Sequence, residues 1–190
     1  MVLKGVDGVV LQMVRIIDTA GVKFENGVVK MSGFTLREAT ERDIPQLAAH
    51  HRKMFEEMWE KKGQRISNSS AMDMERAYSR KLTEELPAGS CKSWLVENGN
   101  HMIASGAVSI VSFVPTPNDL SSRVAYVHSV YTETAFRRKN LAARIVKTAL
   151  EYCKTNGIKR VILTASEAGR PVYERIGFAP YPEMMRIFIQ

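Results

Sequence analysis

The chain has 190 residues, of which 45% are hydrophobic and 25% are charged, as is typical of one globular domain with a buried core. These proportions exclude collagen, a coiled coil and a disordered chain. The chain carries 27 basic and 20 acidic side chains, and its last 70 residues, with 12 basic and 5 acidic, hold a surplus equal to the whole net charge of +7. We therefore expect an anionic partner to bind this last part of the chain.

Cysteine content and hydropathy indicate a cellular location. Cys91 and Cys153 are too few for a disulfide scaffold, and their spacing fits no zinc motif. The apolar block at residues 9–17 is too short to span a bilayer and lacks a convincing signal cleavage site. We expect a cytoplasmic protein that binds neither a membrane nor a metal ion.

Residues 1–33 are interpreted as an N-terminal extension whose function the sequence does not reveal. Within it, Asn26-Gly27 lies between two short apolar segments and predicts a hairpin. The block at residues 9–17 fits either a strand or a short helix, because its periodicity does not decide between them.

Residues 34–190 are interpreted as one domain of alternating helices and strands. Thr40 and Asp43 have the form of a capping box at the start of the first helix, and Asn98-Gly99 predicts a second hairpin. The predicted elements are a strand at 34–37, helices at 40–62 and 72–86, strands at 93–97, 101–114 and 123–132, a helix at 141–155, a strand at 160–165, a short helix at 171–176 and a last strand within 184–189. This order predicts a mixed α/β domain.

The junction between the strand at 123–132 and the helix at 141–155 is the most informative part of the sequence. Three consecutive cations, Arg137, Arg138 and Lys139, stand directly before the helix. Backbone N–H groups at a helix start are unsatisfied and carry partial positive charge, so this junction is a candidate anion site. From charge alone, a solvated basic turn remains the alternative.

This junction resembles the acetyl-CoA signature of the GNAT N-acetyltransferase superfamily, Arg/Gln-x-x-Gly-x-Gly/Ala. The matching positions are Arg137, Asn140 and Ala142. The first motif glycine is replaced by Asn140, and asparagine is the non-glycine residue best suited to a left-handed conformation.

A second motif strengthens the resemblance. Residues 165–178, in which a helix bearing Tyr173 ends at Gly177-Phe178, are similar to the closing motif of that superfamily. The likeness covers residues 34–190, and it implies a mostly antiparallel central sheet flanked by helices.

The resemblance also implies an acetyl-CoA site. Backbone groups of one strand would bind the pantetheine arm, the basic loop would bind the phosphates, and the closing motif would approach the sulfur. Ser166 stands where many relatives have asparagine. The residues that the resemblance assigns to this site are Val130, Thr132, Arg137, Arg138, Lys139, Asn140, Leu141, Ala142, Ser166 and Tyr173.

Attack of an amine on a thioester requires a base for the ammonium proton and an acid for the leaving thiolate. Tyr173 suits the acid, because its phenol is a donor at neutral pH; packing against Phe178 is the alternative role. His128 is the leading base, because it titrates near neutrality and, two residues before Val130, is expected on the same strand face. Glu133 is a weaker candidate for the base.

The sequence thus predicts an N-acetyltransferase that acts on a primary amine, either a small molecule or a protein amino group. The two helices at residues 40–86 are expected to bind this acceptor, with Trp59 and Tyr78 either lining the cleft or filling the core. An acyl-CoA-binding sensor with little turnover is the alternative. No nucleic-acid partner is expected, because no basic groove with interleaved aromatic residues is present, and a homodimer stays open.

Overall fold

A seven-stranded sheet forms the centre of the computed structural model, which describes residues 23–25, 28–31, 33–181 and 184–189. The strands lie side by side in the order in which they follow along the chain. They are β1 (Lys23–Glu25), β2 (Val28–Met31), β3 (Phe34–Glu38), β4 (Cys91–Asn98), β5 (His101–Ser112), β6 (Arg123–Thr132) and β7 (Arg160–Leu163). Neighbouring strands are antiparallel except β6 and β7, which are parallel. The predicted mixed, mostly antiparallel sheet is confirmed.

Helices cover both faces of this sheet. In the part of the chain that the structure describes they are α1 (Ile44–Glu60), α2 (Asn68–Ala88), α3 (Leu141–Thr155) and α4 (Arg170–Ile176). Trp94 packs in a buried cluster with α3, whereas its neighbour Leu95 packs in a second cluster with α1 and α2. Successive side chains of a strand point to opposite faces, so the protein has two cores, one on each side of the sheet.

The first two helices begin and end at recognisable signals. The capping box of Thr40 and Asp43 is present and opens a short 3₁₀ turn before α1. The N-cap of α2 is Ser67, whose hydroxyl accepts a hydrogen bond from the Ser70 N–H at 3.1 Å. The helix predicted at 72–86 continues through Pro87, because a proline in the last turn removes only one helical hydrogen bond, and it ends at Ala88 before the left-handed Gly89.

Helix α3 spans the residues that its sequence pattern predicts. Its apolar positions recur every three or four residues and are buried against the sheet. Cys153 is fully buried there and packs in the core.

Both predicted hairpins are formed by antiparallel strand pairs. β4 and β5 are joined through Gly99, whose φ of +59° is easy only for glycine. β1 pairs with β2, and β2 with β3, so the end of the N-terminal extension belongs to the same sheet as the rest of the domain. The turn residues 26–27 and the block at 9–17 lie outside the described residues.

The last strand expected within residues 184–189 is not formed, and this prediction was wrong. Apolar side chains of this segment are exposed, including Ile187 at 81% and Ile189 at 85%. A β-branched sequence favours a strand only when a neighbouring strand accepts its backbone hydrogen bonds, and these residues pair with no described strand.

None of the helices in the described ranges is long and apolar enough to cross a bilayer.

Candidate active site

β6 separates from β7 halfway along its length. The two strands pair from Val124, opposite Arg160, to Val127, opposite Leu163. β6 then continues to Thr132, and over these last residues it pairs with β5 alone among the described strands. Backbone groups of β6 beyond Val127 therefore border an opening in the sheet, where an extended ligand is able to take the place of a strand.

A β-bulge lies at the start of this opening. β6 has one residue more than β5 between His128 and Tyr131, so that Ser129 and Val130 together oppose Gly106. Ser129 adopts a φ of +54°, which is uncommon for a residue with a side chain. The bulge thus places a strained, conformationally fixed residue beside the opening.

The bulge also corrects one prediction. His128 contacts the ring of Tyr78 on the α1 and α2 side of the sheet, whereas Val130 packs in the core beside α3. The expectation that these two side chains share a face was wrong, because it assumed the unbroken alternation of a regular strand.

A loop rich in unpaired N–H groups follows β6. Arg138 and Asn140 have φ angles of +64° and +61°, and α3 begins at Leu141. Alternating left-handed residues in a turn aim successive N–H groups toward one point, and the start of a helix adds further donors. The left-handed conformation expected of Asn140 is confirmed, and that of Arg138 was not anticipated.

The side chains of this loop have different surroundings. The Nη2 of Arg137 lies 2.6 and 2.7 Å from the two carboxylate oxygens of Glu57 in α1, and its Nε donates to the Thr132 carbonyl at 3.0 Å. Arg138 and Lys139 are exposed, and Lys139 Nζ lies 5.5 Å from the ring centroid of Phe34. Arg137 therefore ties the loop to α1, while its neighbours face solvent.

The closing motif lies on the other side of the opening. The rings of Tyr173 and Phe178 are 6.0 Å apart and meet edge to face. Ser166 caps the turn into α4, because its Oγ accepts a hydrogen bond from the Gly169 N–H at 3.1 Å. Burial raises the pKa of Tyr173, so that its phenol keeps its proton at neutral pH.

A chain of hydrogen bonds crosses the α1 and α2 side of the site. His51 Nδ1 lies 2.8 Å from Ser129 Oγ, which lies 3.0 Å from His128 Nδ1. His128 Nε2 lies 3.0 Å from Ser109 Oγ, which donates to Glu85 Oε2 at 3.4 Å. Four elements (α1, β6, β5 and α2) are joined by this chain.

A second polar group stands nearer the end of β6. His50 Nδ1 lies 2.9 Å from Ser105 Oγ, and His50 Nε2 lies 3.3 Å from Glu133 Oε1. Lys53 Nζ donates to the same carboxylate oxygen at 2.6 Å. Together with Glu57, these α1 residues form a polar stripe that holds the helix against β6. Their spacing of i, i+3 and i+7 is the sequence signal for this stripe, which was not predicted.

Burial shapes the charge of these groups. Desolvation lowers the pKa of His50 and His51 to about 4 and that of His128 to about 3, so all three rings are neutral at pH 7. Burial acts to raise the pKa of Glu133, but the hydrogen bond and charge of Lys53, together with the contact from His50, outweigh it and leave the pKa below its ordinary value.

The buried hydroxyl of Thr132 gives one test of whether the opening suits a ligand. Its Oγ1 is inaccessible to solvent and has no hydrogen-bond partner among the described residues. A buried polar atom normally has a hydrogen-bond partner. The unpartnered hydroxyl, which lies beside the unpaired backbone of β6, therefore fits a site that a polar, extended ligand completes. In the described part of the chain, no three His, Cys, Asp or Glu side chains are grouped to hold a metal ion.

A family model described as the acetyltransferase (GNAT) family matches residues 45–178. A curated relative, the glucosamine 6-phosphate N-acetyltransferase of Trypanosoma brucei brucei, is 28% identical over 64 residues. The matched region covers 34% of this chain and 44% of that relative, so the chain spans less than half of the relative's length.

Solved structures share the fold. A predicted acetyltransferase with acetyl-CoA from Clostridium acetobutylicum has a TM-score of 0.74 and 24% identity, covering 82% of this chain and 96% of that one. A GCN5-related N-acetyltransferase from Ralstonia eutropha JMP134 has a TM-score of 0.73 and 23% identity, covering 82% and 99%. The glucosamine-6-phosphate N-acetyltransferase of Arabidopsis thaliana has a TM-score of 0.56 and 21% identity, covering 83% and 99%.

Proposed function

The chain belongs to the acetyltransferase (GNAT) family, and we propose that it is an acetyl-CoA-dependent N-acetyltransferase that moves the acetyl group of the thioester to a primary amine by direct attack. The observation that carries the proposal is the juxtaposition of two features. The opening beyond Val127 in β6 leads directly into the loop of left-handed residues that starts α3. The first accepts an extended arm, and the second accepts an anion.

We assign the binding of acetyl-CoA to these two features. Backbone groups of Val130 and Thr132 bind the pantetheine arm, and of the loop at 137–142 the N–H groups of residues 138–142 bind the pyrophosphate. The exposed cations Arg138 and Lys139 face the phosphates. The Arg137 N–H already donates to the Thr134 carbonyl at 3.3 Å, so Arg137 acts through its guanidinium, which Glu57 holds and which keeps the loop in place.

Bound acetyl-CoA supplies an activated carbonyl carbon for the amine to attack. An N–H group of β6 at the opening stabilises the developing oxyanion, because a fixed donor needs no reorganisation during the reaction. Tyr173 donates the proton to the departing sulfur, and its Oη forms no hydrogen bond with the described residues that would compete for that proton. Ser166 supports this role by fixing the turn before α4.

The acceptor lies on the α1 and α2 side of the opening. Tyr78 is buried in this core and Trp59 is 39% exposed, so the two side chains have separate roles rather than forming one wall. The acceptor class is a primary amine of a small molecule or a protein. Glucosamine 6-phosphate is one candidate acceptor, because a curated relative is named glucosamine 6-phosphate N-acetyltransferase.

We also propose that the protein is cytoplasmic. Cys91 and Cys153 are buried free thiols, as expected in a reducing compartment. The proposed partners are acetyl-CoA and the amine. The phosphate charges of the first and the ammonium charge of the second explain their binding, and we propose no nucleic-acid or membrane partner.

The test is release of free CoA thiol from acetyl-CoA in the presence of glucosamine 6-phosphate, spermidine and a lysine-containing peptide. We expect amine-dependent release with at least one of them, and Tyr173→Phe slows it by about 10²-fold with little change in acetyl-CoA affinity. Tight binding of acetyl-CoA with no amine-dependent release across the panel would instead favour the acyl-CoA sensor.

A further inference from the structure

Four candidate proton acceptors surround the opening, and three of them are held by hydrogen bonds or an ion pair. His128 has Ser129 at Nδ1 and Ser109 at Nε2, both at 3.0 Å. The Glu133 carboxylate is bound by Lys53. His50 is likewise engaged at both ring nitrogens. A ring nitrogen whose lone pair is already occupied must break a hydrogen bond before it accepts a proton, and protonation of Glu133 would remove the charge that pairs with Lys53.

His51 differs from these groups. Its Nδ1 contacts Ser129 at 2.8 Å, whereas its Nε2 has no hydrogen-bond partner in the described ranges. The imidazole stacks on the ring of Tyr78, with centroids 4.0 Å apart and an interplanar angle of 13°. The edge of Phe55 closes its other side, at 4.9 Å between centroids. The ring is therefore held in one orientation with one nitrogen available.

The hydrogen-bonded chain fixes which nitrogen of His51 carries the proton. A carboxylate only accepts, so Ser109 donates to Glu85 and in turn accepts from the N–H of His128 Nε2. His128 Nδ1 then accepts from the Ser129 hydroxyl at 3.0 Å, which is nearer than the Tyr78 hydroxyl at 3.4 Å, and Ser129 accepts from the N–H of His51 Nδ1. The lone pair of His51 is left at Nε2.

The position of His51 relates it to the proposed chemistry. Ser129, which it contacts, is the bulge residue directly before Val130, whose backbone borders the opening. In the proposed function the thioester lies at this opening. The His51 ring therefore lies beside the thioester, on the side where the acceptor binds.

We propose that His51 Nε2 accepts the proton that the acceptor nitrogen loses, and that Ser129, His128, Ser109 and Glu85 are positioning residues that hold its tautomer. This proposal rests on the proposed function. As the C–N bond forms, the nitrogen becomes cationic and passes one proton to Nε2. The C–S bond then breaks with its electron pair on sulfur, and sulfur takes a proton from Tyr173. His51 returns its proton to water, and water restores that of Tyr173.

The end of the chain supports this assignment. Glu85 is ion-paired with Lys81, one turn earlier in α2, which keeps the carboxylate in place as an acceptor. His51 is thus linked through four successive hydrogen bonds to a carboxylate, an arrangement like a histidine oriented by a carboxylate.

The test compares His51→Asn with His101→Asn, because asparagine keeps an N–H group near the position of Nδ1 and removes Nε2. His101 is exposed at the hairpin between β4 and β5 and provides the matched control. The assay is CoA thiol release with acetyl-CoA and the same three amines. We expect His51→Asn to lower kcat by about 10²–10⁴-fold with unchanged acetyl-CoA affinity by calorimetry, and His101→Asn to match the wild type.

Added imidazole separates a missing base from a structural defect. We expect imidazole to restore part of the activity of His51→Asn and to leave the wild type unchanged. Glu85→Gln is expected to lower kcat about tenfold without changing the KM for acetyl-CoA, whereas Glu84→Gln, an equal charge change at an exposed neighbour, leaves both unchanged.

The outcomes are distinguishable. If the wild type shows no amine-dependent thiol release, the proposed function fails and this proposal fails with it. If the wild type turns over and His51→Asn does so at the same rate, or loses activity that imidazole never restores, only the assignment to His51 is overturned. Calorimetry with acetyl-CoA and thermal melts confirm that each variant is folded.

Discussion

Replacement of Gly106 by alanine is expected to disturb the bulge that opens the sheet. A Cβ at this position would lie 2.8 Å from Ile145 Cγ2 and 3.2 Å from Val130 Cγ2. Ile145 is 1% exposed and belongs to α3, so its side chain is packed in the core and cannot easily shift away from the new methyl group. Overpacking of this kind lowers the free energy of unfolding by about 1–3 kcal/mol. The reduced entropy of the unfolded chain, which alanine causes, offsets about 0.5 kcal/mol of this loss.

Urea denaturation followed by tryptophan fluorescence measures this cost, and the midpoint of thermal unfolding should fall by about 2–8 °C for a chain of this size. Acetyl-CoA affinity should fall as well, because the strained contact displaces Val130 at the edge of the opening.

A double-mutant cycle shows whether the contact with Ile145 is the cause. Ile145→Ala alone should cost about 2–5 kcal/mol, because it leaves a cavity. In the double variant the alanine methyl at position 106 occupies part of that cavity. The loss of unfolding free energy in the double variant should therefore be at least about 1 kcal/mol smaller than the sum of the two single losses. A wild-type midpoint for Gly106→Ala, or fully additive costs, would refute the packing argument.

Three further predictions follow from buried contacts and backbone angles. Leu82→Ala should lower the free energy of unfolding by about 2–5 kcal/mol, because Leu82 is fully buried, whereas Leu120→Ala at an 81% exposed position should change it by less than about 0.5 kcal/mol. Hydrogen bonds from Arg37 lower the pKa of Asp43 from 3.8 to about 2, so Asp43→Asn should cost about 2 kcal/mol at pH 7. This difference should shrink as the pH falls from about 4 to 2 and vanish below that, because the wild-type carboxyl becomes protonated as the pH passes its lowered pKa, and urea titrations at pH 7 and pH 2 would detect the change. Asn140→Ala should cost about 1 kcal/mol and Asn140→Gly less than half of that, since alanine tolerates a φ of +61° poorly; equal unfolding midpoints would contradict the backbone argument.

Sequence patterns that are local in the chain predicted the fold well. The apolar period of α3, the capping box at Thr40 and the Asn-Gly turn after β4 each depend on a few neighbouring residues, and the structure contains all three. The segment at residues 184–189 has the same local character and failed, because a strand also needs a partner that its own sequence does not specify.

The candidate site was predicted only in part. The loop at 137–142 was found because a short motif encodes it. The bulge was missed, because one extra residue in β6 changes the side-chain alternation without leaving a clear signal in sequence. Arg137 meets Glu57, 80 residues away, and His51 meets Ser129, 78 residues away. Such long-range polar pairs become visible only once the helices are packed on the sheet.

Hydrogen exchange with and without acetyl-CoA tests the central claim, that the opening of β6 and the loop before α3 bind this molecule. The measurement follows amide exchange along the whole chain at saturating acetyl-CoA. The account predicts slower exchange in peptides that cover residues 128–143, with the amides of Val130 and Thr132 among those protected. Binding that leaves these peptides unchanged and protects another part of the chain would contradict it.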